Sequence, residues 1–249
     1  MKVRIKFGKH GYMKFVGHLD IMRFFQKANR RACIDICYSE GFSPHQKMSF
    51  ASPLGVGLQS TAEYVDMEVN STFNSKEAVK RLNDVMVEGL DIYSYRLLPD
   101  DAENAMSVVS AADYLITFKN SDIFKDNEFL NKKISEFLSS DTINVLKKSK
   151  KSEKITNIRS LIYDLKLISD IKDIICDTDY SSYGISMSVA SGSVNNLKPE
   201  LVMEAFFDYS GIEFNVNMLN IYRTEIYANL GTEDEYKFIP LNELGTEII

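Results

Sequence analysis

The residues best suited to metal or nucleophilic chemistry lie near the start of the sequence, where three histidines and two of the three cysteines fall within the first 50 residues. Cys33 and Cys37 have the spacing of two ligands of a common three-cysteine iron–sulfur motif, but Glu40 stands where the third cysteine belongs. Cluster ligation needs more thiolate than two cysteines supply. We therefore predict reduced, structural cysteines and no iron–sulfur cluster.

The histidines give no recognisable catalytic or metal-binding pattern. His10, His18 and His45, taken with the two cysteines, match no standard zinc spacing. No serine or cysteine nucleophile stands at a recognisable distance from a histidine and an acid. The sequence thus predicts no catalytic residue, no metal and no cofactor. One alternative stays open, in which His45 acts with Lys47 as proton acceptor and charge stabiliser in RNA cleavage.

A basic amphipathic helix is the strongest local pattern, and it is expected to run from His18 to about Ala32. On an ideal helix, four apolar residues fall within one narrow arc: Ile21, Phe25, Ala28 and Ala32. Four basic residues fall on the opposite side: Arg23, Lys27, Arg30 and Arg31. One side of this helix can pack into a core while the other holds positive charge in water.

The distribution of charge along the sequence also indicates a positively charged surface near the N-terminus. The formal net charge is −6, which taken alone argues against a nucleic-acid ligand. Residues 1–50, however, hold ten lysines and arginines against three acidic residues. Such asymmetry can mark an anion-binding face, although a solvated helix face would give the same pattern. A second run of lysines, between Lys147 and Lys154, is either a hairpin tip or a second phosphate contact.

The elements that would position these residues follow from the hydrophobic periods. Val3, Ile5 and Phe7 alternate with basic residues, which predicts a half-buried strand with a basic outer face. Further strands are expected at residues 34–38, 64–69 and 92–97, with helices at 18–32 and 76–90. This order is the ferredoxin-like βαββαβ pattern, an α+β fold with two helices on one face of an antiparallel sheet.

Three regions follow from this pattern. Residues 1–99 are predicted to form the basic ferredoxin-like domain, and the small, polar residues 100–110 to form a linker. Residues 111–249 are predicted to form a second α+β domain, in which a looser version of the same order suggests a degenerate repeat. The periods of 3.6 and 2.0 are weaker there, so the element boundaries are less sharply defined.

The segment 15–69 resembles the radical-SAM-linked, DUF2344 family of bacteria. The resemblance is carried by Phe15, His18-Leu19-Asp20, Met22-Arg23, Ala28, Arg30-Arg31-Ala32, Tyr38-Ser39-Glu40-Gly41-Phe42, Pro44-His45, Lys47, Ser49-Phe50-Ala51, Pro53-Leu54 and Glu63-Tyr64. Gly17 stands where serine is usual, and Gln46 where a second proline is common, which predicts a freer loop. The resemblance implies an RNA-related role or a role as accessory to a radical-SAM protein.

These observations lead to one expected function and two alternatives. We expect a non-catalytic RNA-binding or substrate-presenting protein that works with a radical-SAM enzyme. The expected RNA-binding residues are Lys14, His18, Arg23, Lys27, Arg30, Arg31, Phe42, His45 and Lys47. Basic residues would contact phosphates, and aromatic residues would stack on splayed bases. The alternatives are a metal-independent RNA endonuclease and a protein–protein scaffold.

The sequence also bears on the compartment. No apolar run approaches the roughly 20 residues needed to span a bilayer. No signal peptide is recognisable, because Lys2, Arg4 and Lys6 interrupt the first apolar residues. We therefore expect a cytoplasmic protein without a membrane partner and with reduced thiols.

Overall fold

The chain forms two compact units in a computed structural model that describes residues 1–119, 126–148, 153–169, 171, 183–232 and 235–249. The first unit comprises Met1–Ala111 together with Arg223–Ile249, and the second comprises Ala112–Tyr222. The sequence assigned all of 111–249 to the second half, whereas the contacts group the last residues with the first unit. Within the described residues, no helix has both the length and the apolar content needed to cross a membrane.

The first unit has the strand and helix order expected from the sequence. Its elements are β1 (Lys2–Lys9), a 3-10 segment (Gly11–Phe15), α1 (His18–Arg31), β2 (Met48–Ala51), β3 (Gln59–Glu68), α2 (Ser75–Asn83), β4 (Ile92–Leu97) and α3 (Ala105–Val108). The sheet order is β4-β1-β3-β2, and each of these neighbouring pairs is antiparallel. This arrangement confirms the ferredoxin-like prediction.

Both helices of the first unit pack on the same face of this sheet. Val3, Ile5 and Phe7 of β1 belong to one buried cluster that also includes residues of α1 and α2, among them Phe25 and Leu82. The rings of Phe7 and Phe25 meet edge to face, with their centroids 4.8 Å apart. The apolar arc predicted for α1 is therefore the surface that it buries.

The second strand does not lie where the sequence predicted it. Residues 34–38 form only isolated bridges, Ile36 with Val69 and Tyr38 with Gln46, and the second strand is β2 instead. The backbone N–H of Ile36 bonds to the carbonyl of Ile34, a turn that interrupts a strand ladder. Ile34 and Ile36 are nevertheless buried in the helix-side core, so their alternation reports burial rather than strand pairing.

Helix α2 is shorter than predicted, because it ends at Asn83 rather than near Leu90. The Asn83 side chain bonds both the N–H and the carbonyl of Ile92, at 2.8 and 2.9 Å. These bonds tie the end of the helix to the start of β4. Residues 84–90 then connect the two elements, and Gly89 in this stretch has a positive φ of 85°.

The opposite face of the first-unit sheet is covered, which corrects the prediction of a basic outer face on β1. Arg4 is only 1% exposed and forms a bidentate pair with Asp66, with distances of 2.7 and 2.9 Å. Arg4 also donates to the carbonyl of Leu241, and Asp66 accepts from the backbone N–H of Ala105. The pair thus joins β1 and β3 to α3, which lies within the predicted linker, and to the C-terminal segment.

A second polar group lies on the same covered face. Lys6 donates to one oxygen of Glu225, and the hydroxyl of Tyr64 donates to the other, each at 2.6 Å. Burial, reinforced by the Glu225 carboxylate, raises the pKa of Tyr64 far above its usual value. Tyr64 therefore stays protonated and keeps donating to Glu225.

The second unit repeats the topology of the first. Its elements are the main part of β5 (Val109–Phe118), α4 (Asn127–Leu138), β6 (Asn144–Lys148), β7 (Glu153–Asn157), β8 (Ile162–Ser169), β9 (Tyr183–Ala190), α5 (Pro199–Ser210) and the start of β10 (Leu219–Asn229). The sheet order β10-β5-β9-β8 matches β4-β1-β3-β2 strand for strand. The hairpin β6–β7 is inserted after the first helix of the repeat. The rest of β10 belongs to the first unit, where it pairs with β11 (Phe238–Pro240).

The buried Arg4–Asp66 pair leads to a first prediction. Asp66→Asn keeps the size of the side chain but leaves the Arg4 guanidinium without its counter-charge in a dry environment. Breaking a buried pair in this way costs about 3–5 kcal/mol, so the free energy of unfolding should fall by that amount. Urea denaturation followed by circular dichroism measures it. The control is Asp20→Asn, which removes the exposed partner of Arg23 and should cost less than about 1 kcal/mol. Equal losses in the two variants would contradict the prediction.

Candidate nucleic-acid interface

The exposed side of α1 carries most of the predicted phosphate-binding residues. Arg23, Lys27, Arg30 and Arg31 are all exposed on the side away from the core. Arg23 pairs with Asp20 at 2.9 Å, one helical turn earlier. Within the described part of the chain, no acidic side chain forms an ion pair with the other three. Among the described residues, Arg30 and Arg31 donate only to backbone carbonyls, those of Gln26 and Val85.

Most other basic residues near the N-terminus are neutralised locally. Arg4, Lys6 and Lys47 pair with Asp66, Glu225 and Glu68. Lys9 is buried, and the Lys2 ammonium donates to the carbonyl of Ala102. The charge excess counted along the sequence is therefore larger than the excess at the surface. What remains is concentrated on Lys27, Arg30 and Arg31, together with Lys14 in the 3-10 segment before α1.

A loop held against α1 presents the predicted aromatic residue. The bridge between Tyr38 and Gln46 closes residues 39–45 into a turn, inside which the Ser39 hydroxyl bonds His45 Nδ1 at 2.8 Å. Phe42 lies within this turn with its side chain fully exposed to solvent. An exposed phenyl ring close in sequence to basic residues is the kind of group on which a splayed base stacks.

The anchor of this loop is a buried amide pair that the sequence analysis missed. Asn29 Nδ2 donates to Gln46 Oε1, and Gln46 Nε2 donates to the carbonyl of Gln26, each at 3.0 Å. Both Asn29 and Gln46 are buried. Gln46 had suggested a freer loop because a proline is common at its position, yet its amide ties the loop to α1. A buried asparagine on the apolar side of a predicted helix was the available signal.

His18 lies in a different environment from the rest of the predicted site. It is half-buried, with its ring 5.0 Å from that of Phe50, beside a buried polar cluster of Lys9, Glu63 and Arg223. Glu63 accepts from the Arg223 guanidinium, and Lys9 donates to the carbonyl of Gly55. Burial lowers the pKa of His18; the charge of Glu63 opposes this shift and that of Lys9 adds to it.

The cavity in this cluster is too small for a nucleotide. It has a volume of about 10 Å³, which is close to the space of one water molecule. Sequence spacing did not reveal the cluster, because Lys9, Glu63 and Arg223 come from three distant parts of the chain. Glu63 pairs with Arg223, and the carbonyl of Gly55 accepts from Lys9, so partners within the protein account for the burial of these charges.

Exposed aromatic residues also surround Lys14. Tyr12 and Phe15, in the 3-10 segment before α1, are 89% and 64% exposed. The Lys14 ammonium lies 5.3 Å from the centroid of the Phe15 ring, and the Lys14 carbonyl accepts from the N–H of Gly57. The 3-10 turn directs these aromatic side chains to solvent.

The remaining predicted groups are the two cysteines and the second basic run. Cys33 is exposed, and the Cys37 thiol donates to the Asn70 side chain at 3.1 Å. No group of three or more potential metal ligands occurs among the residues that the structure describes. The absence of a metal or cofactor stays a prediction. In the second basic run, Lys150 and Lys151 lie outside the described residues, and Lys154 is exposed on β7.

Taken together, these features define a two-unit α+β protein whose first unit is ferredoxin-like and exposes a basic helix. The chain belongs to the DUF2344 family, described as an uncharacterized protein conserved in bacteria, because the family profile matches residues 2–199. A comparison with curated proteins gave no match. A similar solved structure contains the first two RRM domains of the yeast poly(U) binding protein Pub1. It is 11% identical, has a TM-score of 0.21, and aligns over 90% of this chain and 98% of that chain. A TM-score this low supports no conclusion about function.

The position of His18 leads to a prediction of pH dependence. The pKa of His18 is lowered in the folded state. The unfolded chain, in which His18 has its ordinary pKa of 6.5, therefore takes up a proton more readily than the folded chain does. The part of the stability that depends on neutral His18 is therefore fully present above pH 6.5 and is lost as the pH falls from there through the lowered pKa of the folded state. Thermal melts between about pH 7.5 and 5.5 should show a falling melting temperature, with a shallower fall in His18→Gln. Identical slopes, or a His18 titration by NMR with a pKa of 6.5 or above, would contradict it.

Proposed function

We propose that this protein binds single-stranded segments of RNA through α1 and the loop of residues 39–46, without catalysing a reaction itself. The observation that supports this proposal is the combination of cations that lack acidic partners with an exposed aromatic residue on an anchored loop. Lys27, Arg30 and Arg31 are exposed without acidic partners in the described part of the chain, whereas Arg4, Lys6 and Lys47 are paired and Lys9 is buried. Phe42 is exposed on a loop anchored to the same helix.

The dimensions and chemistry of α1 suit a short stretch of single strand. The helix has 14 residues, which at about 1.5 Å per residue gives a length of roughly 20 Å. Lysine and arginine side chains along this length would contact successive phosphates and release counterions. A stacking aromatic residue adds affinity for an unpaired base with little dependence on sequence. RNA identity would then come from elsewhere in the complex.

The sheet of the first unit offers no competing surface. RRM domains bind RNA by stacking bases on aromatic side chains of an open four-stranded sheet. Here the face opposite the helices holds buried Tyr64, Arg4 and Asp66, with α3 and Leu241 packed against it. An RNA strand therefore cannot reach this sheet face without removing the C-terminal segment. The helix side remains the exposed basic surface of the unit.

We further propose that the bound RNA is presented to a radical-SAM enzyme, the partner that the family resemblance implies. The exposed Tyr12, Phe15 and Leu19, near the beginning of α1, are available for contact with such a protein. If the chain is instead a scaffold that meets only an acidic partner protein, RNA binding is absent while co-purification with that partner depends on the same cations. A pull-down of each variant below with RNA sequencing and protein identification separates the two.

The cations of α1 lead to a quantitative prediction. In the triple variant Lys27→Gln, Arg30→Gln and Arg31→Gln, RNA affinity should fall because three phosphate contacts are lost. The slope of log affinity against log salt should become shallower by about 2 units, since each single-strand phosphate contributes roughly 0.7. The free energy of unfolding should change by less than about 1.5 kcal/mol, because exposed substitutions seldom cost more than about 0.5 kcal/mol each. Titrations at three salt concentrations measure affinity and slope.

A matched control removes the same charge elsewhere. Lys76, Lys198 and Lys237 are exposed lysines outside α1. Their replacement by glutamine should change the salt slope much less than the α1 variant does. If both triple variants lose affinity equally, RNA affinity depends only on the overall charge of the protein, and the assignment of α1 as the binding surface is wrong.

Phe42 leads to a separate prediction about stacking. Since its side chain is fully exposed, Phe42→Ala should leave the melting temperature nearly unchanged. Affinity for a single-stranded oligonucleotide should fall by about 1–3 kcal/mol, while the salt slope stays the same.

Electrophoresis of the RNA after incubation tests the nuclease alternative in the same samples. RNA that is shortened by the wild-type chain, but not by His45→Ala, would replace the binding-only proposal with the endonuclease.

A further inference from the structure

The second unit contains a groove that the proposed RNA surface does not use. Its volume is about 840 Å³, and it lies between β6 with its preceding residues and helix α5. This volume is within the range of about 300–1,000 Å³ that is usual for ligand sites. The groove lies entirely in the second unit, so any ligand it binds would be independent of the RNA proposal.

One wall of the groove is the edge of a strand rather than the face of a sheet. The residues of this wall are consecutive, from Thr142 to Leu146, whereas a sheet face would contribute alternate residues. Among the described strands, β6 pairs only with β7, in a separate two-stranded sheet. The other edge of β6 therefore keeps unpaired backbone groups.

The register shows which backbone groups these are. The carbonyl of Ile143 accepts from the N–H of Ile158, so the backbone groups of Ile143 point toward β7. Backbone bonding alternates along an antiparallel pair, which directs Val145 toward β7 as well. The N–H and carbonyl groups of Asn144 and Leu146 consequently point away from β7, and both residues line the groove.

The other wall combines an apolar stripe with acidic side chains. Leu201, Ala205 and Ile212 follow one side of α5 and the turn after it, and Tyr209 and Phe214 contribute aromatic surface. Glu204, Asp208 and Glu213 also line the groove, and all three are exposed. In the described part of the chain, no lysine or arginine forms an ion pair with any of them.

We propose that this groove binds an extended, basic segment of a partner protein by strand addition to β6. The segment would bond through its backbone to Asn144 and Leu146, as peptides do when they extend an open sheet edge. Alternate apolar side chains would pack on the α5 stripe, and lysines or arginines would meet the three carboxylates. Five residues of β6 accommodate a peptide of about the same length. The same carboxylates repel RNA, which is why a peptide is the favoured ligand.

The test uses the full chain and a fluorescein-labelled peptide of sequence Lys-Val-Lys-Val-Lys-Val in fluorescence anisotropy titrations. Two further peptides carry N-methyl groups, one on the valine amides and the other on the lysine amides. Strand addition predicts binding of the parent peptide and at least about tenfold weaker binding of one methylated peptide, because its backbone donors toward β6 are lost. Equal binding of all three peptides, or no binding of the parent up to about 1 mM, would overturn the proposal.

A protein variant locates the binding. Glu204→Lys with Asp208→Lys should weaken the parent peptide at least about tenfold, since both carboxylates become cations beside a basic ligand. The matched control is Glu88→Lys with Glu103→Lys, which makes the same change of charge at exposed positions outside the groove. Equal losses in the two variants would show that the peptide senses only net charge and would overturn the assignment.

Hydrogen exchange on the wild-type chain answers the question even if the groove variant fails to fold. Peptide binding should slow exchange at the amides of Asn144 and Leu146 and leave that of Val145, which already bonds β7, unchanged. A uniform change along β6, or a change confined to the first unit, would contradict strand addition.

Discussion

The buried ion pair between Arg4 and Asp66 is the interaction on which the first unit depends most. A guanidinium and a carboxylate taken out of water repay their desolvation only when their geometry is good and their remaining hydrogen-bonding groups are satisfied. Here the remaining groups are satisfied by the carbonyl of Leu241 and the N–H of Ala105. The pair therefore fixes both the C-terminal segment and α3 against the sheet, and these are the two parts that close this face to a ligand.

The local order of the fold was predictable because it is encoded in hydrophobic periodicity. β1 and α1 begin close to where the alternation of Val3, Ile5 and Phe7 and the arc of Ile21, Phe25 and Ala28 place them. The error at residues 34–38 has a physical explanation, since a buried irregular segment shows the same alternation as a strand. The grouping of residues 223–249 with the first unit was not predictable, because it depends on pairing across more than 200 residues.

The candidate site was predictable only in part, for a related reason. Helical spacing correctly placed Lys27, Arg30 and Arg31 on the exposed side of α1. Whether a charged side chain is paired or faces solvent, however, depends on which residues lie next to it in the folded chain. Lys6 is neutralised by Glu225, and Lys9 lies near Arg223, both from the far end of the chain. A count of charges along the sequence cannot separate a cation that faces solvent from one that is paired inside the fold.

The internal repeat explains how one topology can provide two different surfaces. In the first unit, the first helix carries cations without acidic partners, as far as the described residues show. The corresponding helix of the second unit, α4, carries Lys132 and Lys133, but Glu136 lies 4.0 and 3.1 Å from them. Their charge is compensated on the helix itself, so α4 does not duplicate the basic surface of α1.

The second unit differs instead by the inserted hairpin β6–β7, whose open edge forms the groove beside α5. A repeat whose helical cations are compensated, and which has an open strand edge, would bind peptides rather than nucleic acid, which is the division of roles that we propose.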